Sequence, residues 1–170
     1  MKISLITPAP KRSRAGNRAT AERWAGLLRG LGHRVRVAVE YDDEPADVMV
    51  ALHAWRSAGA ARRFRELYPE RKLIVGLGGT DIYVFQKTHR AETLATMDAA
   101  DRLAFTSPVY WWGMPAIMKG WIERTFSGDW AYVYGEGVED RGKAGLKGLL
   151  ANRPTLLLGI GGSTERTYRR

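Results

Sequence analysis

Apolar residues along this chain come in short runs, separated by longer stretches in which they recur with helical spacing. Residues 2–7, KISLIT, read as a buried strand that runs into a Pro-rich loop over 8–17. Over 18–31, Ala21, Trp24, Ala25, Leu27, Leu28 and Leu31 make a broad apolar helix face, and Gly32 is placed to end it. RVRVAVE at 34–40 alternates as a second strand. An acidic turn at 41–45 leads to a third apolar run at 47–52. The pattern predicts a helix over 54–68 with Arg62, Arg63, Arg65 and Glu66 outward, closed by Pro69, and then a strand over 72–77.

After Gly78 and Gly79 the pattern resets. It predicts a helix at 91–100, a short buried strand at 102–106, a loop at 107–115 and a strong helix at 116–126. The aromatic, Gly-rich stretch 127–141 reads as an excursion loop or small hairpin, and 155–160 as a last apolar strand ending at Gly161 and Gly162. Strands alternating with helices imply an α/β fold, a three-layer domain around a mostly parallel sheet. No linker or repeat divides residues 1–170, so one domain is expected. Ligands of such sheets bind at the carboxyl ends of the strands. The loops there are 8–17, 53–57, 78–81, 107–113 and 161–164.

Composition narrows the chemistry. The 170 residues are 45% hydrophobic and 26% charged, a globular balance for one domain. With no cysteine there is no disulfide framework, thiolate site or thiol nucleophile. His33, His53 and His89 lack metal-ligand spacing, so no metal is expected. Neither a membrane span nor a signal-peptide core is present, which reads as a cytoplasmic protein. The net charge of +9 comes mostly from the first half: residues 1–83 carry +6 and residues 84–170 carry +3. These charges are interleaved with acids, which argues against a nucleic-acid partner. A non-specific polyanion binder would use Arg12, Arg14, Arg18 and Arg62.

The most specific stretch is SPVYWWGMPAIMKGWIERTF at 107–126. Successive side chains of a strand cannot both face one interior, so Trp111 and Trp112 read either as a planar-ligand wall or as a cap on the sheet end. Gly113 permits close backbone approach, and Pro115 suits a helix start. In the first loop, Ser13, Asn17 and the first amides of the following helix could cradle a phosphate, helped by Lys11, Arg12 and Arg14. GLGGTD at 76–81 lacks dinucleotide-fingerprint spacing and reads mainly as a turn, and His53 as a structural loop histidine or a base.

On this 107–126 stretch, with GDWAY at 128–132 and GIGGSTERTY at 159–168, residues 84–170 resemble flavodoxin-like NAD(P)H:quinone oxidoreductases. The resemblance implies FMN or FAD, with NAD(P)H as electron donor and a small quinone-like substrate. It assigns flavin contact to Pro108, Val109, Tyr110, Trp111, Trp112 and Gly113, with Gly161 and Gly162 as a second flavin-side loop. Tyr110 and Tyr168 take the catalytic places facing substrate or flavin. A homodimer that completes the pocket is also implied.

Residues 1–83 are similar instead to the N-terminal domain of GT-B glycosyltransferases of the selenosugar synthase type. MKISLITPAP, the run from Ala15 to Phe64 and LIVGLGGTDIY carry that similarity. It implies a sugar-nucleotide cleft lined by Gly16, Asn17, His53, Arg56, Gly79, Thr80 and Asp81. The resemblance changes near 83–90, as in a chimera or fusion of two half-sheets. Three functions follow as expectations: a flavin-dependent quinone-type oxidoreductase or a flavin-binding remnant of one, a sugar-nucleotide-binding part of a glycosyltransferase, or a folded chimera without activity.

Overall fold

The computed structural model describes residues 1–79, 81, 88–109, 113–126, 130–134, 146–150 and 154–160. Among them the chain forms β1 (Lys2–Ile6), α1 (Gly16–Gly30), β2 (Arg34–Ala38), β3 (Val48–Leu52), α2 (Ala58–Leu67), β4 (Lys72–Leu77), α3 (Arg90–Ala99), β5 (Arg102–Pro108), α4 (Ala116–Thr125), β6 (Tyr132–Tyr134), β7 (Leu146–Gly148) and β8 (Thr155–Ile160). Six strands make one parallel sheet in the order β2-β1-β3-β4-β5-β8. This is the flavodoxin-like order, and its direction reverses between β1 and β3. The three-layer α/β expectation is met.

Strand alternation sorts the core into two clusters. Ile3, Leu5, Val50 and Leu52 face Ala21 and Ala25 of α1, with Trp24 and Leu28 packed alongside. On the opposite face, Met49, Ala51, Leu73, Val75, Leu77, Leu103 and Phe105 meet Ala61 and Phe64 of α2, Met97 of α3, and Met118 and Trp121 of α4. The register pairs Leu52 with Gly76 and Gly76 with Ala104. On the α1 side, therefore, β4 presents a bare Gly76 where its neighbours carry side chains.

Several boundaries differ from the sequence reading for identifiable reasons. The first helix starts at Gly16, because Ala15 is extended and its amide is taken by the Ser13 hydroxyl at 3.1 Å. It ends as expected, with Gly32 at φ +83 donating to the Arg29 carbonyl. The second helix starts at Ala58, not at residue 54. His53 has φ +77 and the Ser57 amide donates to the His53 carbonyl, so residues 53–57 form a tight turn first. Part of the 127–141 stretch does pair: β6 and β7 form a two-stranded antiparallel ribbon. The Trp130 indole N–H donates to Asp98 at 3.1 Å, tying this excursion to α3.

The last apolar strand expected at 155–160 forms as β8, and among the described residues it is an edge strand paired with β5 alone. Leu156, Leu157 and Ile160 are 56%, 53% and 60% exposed. One expectation is corrected: Arg18 is no surface cation for polyanions, since it is 7% exposed, paired with Glu22, and shares the buried face of α1 with Ala21 and Ala25. Among the described residues no helix is long and apolar enough to cross a membrane.

Candidate functional site

The carboxyl ends of β1, β3, β4 and β5 lie along one edge of the sheet, with the first half of α1 above them. Thr7, at the end of β1, donates its hydroxyl to the Asn17 carbonyl at 3.2 Å and so fixes the first turn of α1 over the sheet. No acidic side chain occupies that turn.

Between α1 and the strand ends lies a cleft of about 230 Å³. Gly16, Asn17, Thr20 and Trp24 come from α1, Leu52 and His53 from the end of β3, Gly76 to Gly79 from the end of β4, and Thr106 from β5. The cleft exists because Gly76 carries no side chain. A Cβ there would stand 2.8 Å from the Leu52 Cδ2 and 3.6 Å from the Trp24 ring.

His53 is the most constrained residue of this region. It is 2% exposed, sits in the left-handed region, and its amide donates to the Gly76 carbonyl at 2.9 Å. Its Nδ1 lies 2.8 Å from Oδ1 of Asp81, itself 1% exposed, and the Arg56 amide approaches the same nitrogen at 3.3 Å. The other Asp81 oxygen accepts the Gly78 amide at 3.0 Å. The turn is fastened again by Ser57, whose hydroxyl donates to the Leu52 carbonyl at 2.6 Å. Strain held by several contacts is a mark of functional loops.

The sugar-nucleotide set is therefore largely brought together. Gly16, Asn17, His53 and Gly79 line one cleft, and Asp81 touches His53. Arg56 stands outside it, with its guanidinium 5.7 Å from the Trp55 ring centroid, whose ring stacks on His89 at 3.6 Å. Thr80 lies outside the described residues.

The flavin set is divided. Pro108 ends β5 opposite Ile160 of β8, and the Val109 amide donates to the Ile160 carbonyl at 3.0 Å, so the chain continues to Gly113 and to Gly161 from adjacent strand ends. Gly159 permits this, since a Cβ there would meet Val109 Cγ2 at 2.8 Å. Tyr110, Trp111, Trp112, Gly161, Gly162 and Tyr168 lie outside the described residues. Ser13 and Asn17 belong to the β1 end, which β3 and β4 separate from β5. Three strand intervals of ~4.8 Å put these two groups roughly 14 Å apart along the edge.

Sequence reasoning missed Thr20 and Thr106. Thr20 follows Asn17 by three residues on the α1 face that continues to Trp24, so a polar i, i+3 pair above an apolar stripe marked it. Thr106 is the polar residue after Ala104 on the α1 side of β5.

A family model described as "Flavodoxin-like fold" matches residues 1–170, passing without a break across 83–90. Over 72 residues the chain is 38% identical to NAD(P)H dehydrogenase (quinone) 1 of Cavia porcellus, covering 42% of this chain and 24% of that protein. It is 26% identical over 145 residues to the ribosyldihydronicotinamide dehydrogenase-like protein traD of Penicillium crustosum, covering 81% of this chain and 54% of that protein. A crystal structure of a candidate quinone reductase from Klebsiella pneumoniae superposes with a TM-score of 0.39 at 23% identity, over 99% of this chain and 62% of that one. The chain thus spans about a quarter to a half of the length of these two curated relatives.

Proposed function

We propose, on the premise that this chain belongs to the flavodoxin-like fold family, that it is a flavin-binding oxidoreductase of the quinone-reducing type. The observation that carries this reading is the junction of β5 and β8. There Pro108 pairs with Ile160 and Gly159 keeps Val109 against β8, so the segments that continue in sequence to 110–113 and to 161–162 start from neighbouring strand ends. Pro108, Val109 and Gly113, with Tyr110, Trp111, Trp112, Gly161 and Gly162, are the residues proposed to hold the flavin ring. The rest of the cofactor would run along the strand ends toward Asn17 and Ser13.

The residues at the strand ends fit such a group. Glycine at 76, 78 and 79 opens the edge, and the first turn of α1 brings no negative charge near a phosphate. A bound flavin would supply the two-electron chemistry, taking hydride from NAD(P)H for a quinone-like acceptor. The chain itself would bind and orient: in this reading residues 108–113 exclude water from one face of the ring, and Tyr110 and Tyr168 would hydrogen-bond substrate. Both FMN and FAD suit these residues. Glycosyl transfer is not proposed, because the family model that matches residues 1–170 is that of the flavodoxin-like fold.

Purified protein should show the visible flavin absorption band, or acquire it with FMN or FAD, and should oxidise NADH or NADPH with a small quinone. A protein that stays colourless and leaves free-flavin fluorescence unchanged would overturn the reading.

A further inference from the structure

The two faces of the sheet are covered unequally. Among the described residues, α2, α3 and α4 pack on one face, while α1 alone packs on the other, over β1 and β3. A parallel sheet is ordinarily buried on both faces. The register carries the α1 side outward from Gly76 through Ala104 to Leu156, so Leu156, Leu158 and Ile160 of β8 share that side. Leu156 and Ile160 are more than half exposed there.

α1 supplies a wall to this open floor. A Cβ on Gly76 would stand 3.6 Å from the Trp24 ring, so the Trp24 flank of α1 leans over β4, on the side of β5 and β8. Leu27 and Leu31 follow Trp24 by three and seven residues and share that flank. They are 62% and 73% exposed. Wall and floor meet in one apolar corner.

Its dimensions are those of a helix. From β4 to β8 is two strand intervals of ~4.8 Å, about 10 Å across, the breadth of one α-helix. The six residues of β8 run ~20 Å, the length of about thirteen helical residues.

The charge of the corner is one-sided. Arg23 stands one turn before Leu27, Arg102 precedes Ala104 on the floor, and both are exposed. α1 has one acidic residue, Glu22, which pairs with Arg18 away from this flank, and β4, β5 and β8 contain none. A second copy of the chain would bring a further +9 against these arginines. An acidic helix would meet them with opposite charge.

We propose that this corner is the docking surface for one amphipathic, net-acidic helix of a partner protein. Its apolar stripe packs on Trp24, Leu27, Leu31, Leu156 and Ile160, and its carboxylates face Arg23 and Arg102. The surface lies on the open face of the sheet and does not require the flavin reading.

The probe is a fluorescein-labelled peptide of about 18 residues, with leucine on one helical face and glutamate on the other. Anisotropy titration against the full chain should show saturable binding that weakens severalfold from ~50 mM to ~500 mM salt. The same peptide with lysine for glutamate should bind at least ~tenfold more weakly. Leu27→Gln and Leu156→Gln change exposed positions that the fold tolerates, and each should weaken binding about tenfold. Leu157→Gln, on the same strand but the opposite face, should leave the affinity and the melting temperature unchanged. Arg23→Glu combined with Arg102→Glu should reverse the preference in favour of the lysine peptide.

No saturable binding, equal affinity for the two peptides, or a loss in Leu157→Gln as large as in Leu156→Gln would overturn the docking surface. Sedimentation of the protein alone tests the other occupant. A dimer that both Leu27→Gln and Leu156→Gln dissociate would assign the corner to a second copy and overturn the partner helix.

Discussion

Nδ1 of His53 lies 2.8 Å from Oδ1 of Asp81, and both side chains are shut off from solvent. The contact joins the turn after β3 to Asp81, which is helical after β4, and holds a left-handed histidine in place. Removing one partner of a buried pair leaves the other stranded, at about 3–5 kcal/mol. Asp81→Ala should therefore lower the urea midpoint sharply. At position 53, asparagine tolerates positive φ and valine does not. His53→Asn should retain about 1–2 kcal/mol more stability than His53→Val. Equal losses for the two variants would mean that the backbone at residue 53 carries no strain.

Asp101 supplies a second latch, at the opposite end of the sheet. It accepts the Leu73 amide and the Arg65 guanidinium, both at 2.8 Å, with Lys72 at 3.6 Å. Burial pushes its pKa up, but the Leu73 amide and the two cations outweigh this and hold it below the usual value. A carboxyl with a lowered folded pKa stabilises above its unfolded value of ~3.9, and that contribution fades as pH falls through the folded value. Asp101→Asn should cost about 1–3 kcal/mol near neutrality. Denaturant titrations on both proteins from pH 7 down to about pH 2 should show the gap closing below about pH 4. A gap independent of pH would assign the loss to packing.

Which parts of this architecture were legible in the sequence follows from how local their causes are. Gly32 ends α1 because a positive φ is a property of one residue and its neighbours. The six sheet strands appear where short apolar or alternating runs occur, since such a pattern is visible without its pairing partner. TLLLGI at 155–160 is visible as a strand for the same reason, while only the pairing shows that, among the described residues, β8 has a neighbour on one side. Arg18 could have been placed, because Ala21 and Ala25 follow it at i+3 and i+7. The His53–Asp81 contact could not. Both residues drew notice, but 28 positions separate them, and the left-handed turn that aims His53 depends on the loop around it. Strand order was likewise hidden, and with it the two strands that stand between Asn17 and the 108–113 loop.

Tyr41 offers a test at the alkaline end. Its ring meets Phe64 edge-on at 5.7 Å, and its hydroxyl donates to the Glu44 carbonyl at 2.8 Å. Burial, then the neighbouring Tyr68 and Asp43, push the phenol up to about 12. A phenol raised above its unfolded value of ~10 stabilises fully below that value, and the contribution is lost as pH climbs through 12. Phenolate absorbance should show a late-titrating tyrosine that Tyr41→Phe removes. If the variant leaves the titration curve unchanged, Tyr41 ionises with the exposed tyrosines.

The junction of β5 and β8 makes the sharpest separation between stability and binding. Gly159 and Val109 are so close that a Cβ on the first would stand 2.8 Å from Cγ2 of the second. Gly159→Ala must push the end of β8 away from Val109, and it does so on a largely exposed edge strand, where little core packing is at stake. Stability should fall by about 1 kcal/mol, at the low end for overpacking. Flavin affinity should fall further, because the residues proposed to hold the flavin, 108–113 and 161–162, follow these two strand ends in sequence. Val109→Ala removes Cγ2, so the double variant should recover flavin binding that the single Gly159→Ala variant loses. Fluorescence titration of FMN and FAD against the four proteins of this cycle measures the coupling. Additive effects in both flavin titrations would show that the Gly159–Val109 contact does not set the spacing of the two loops.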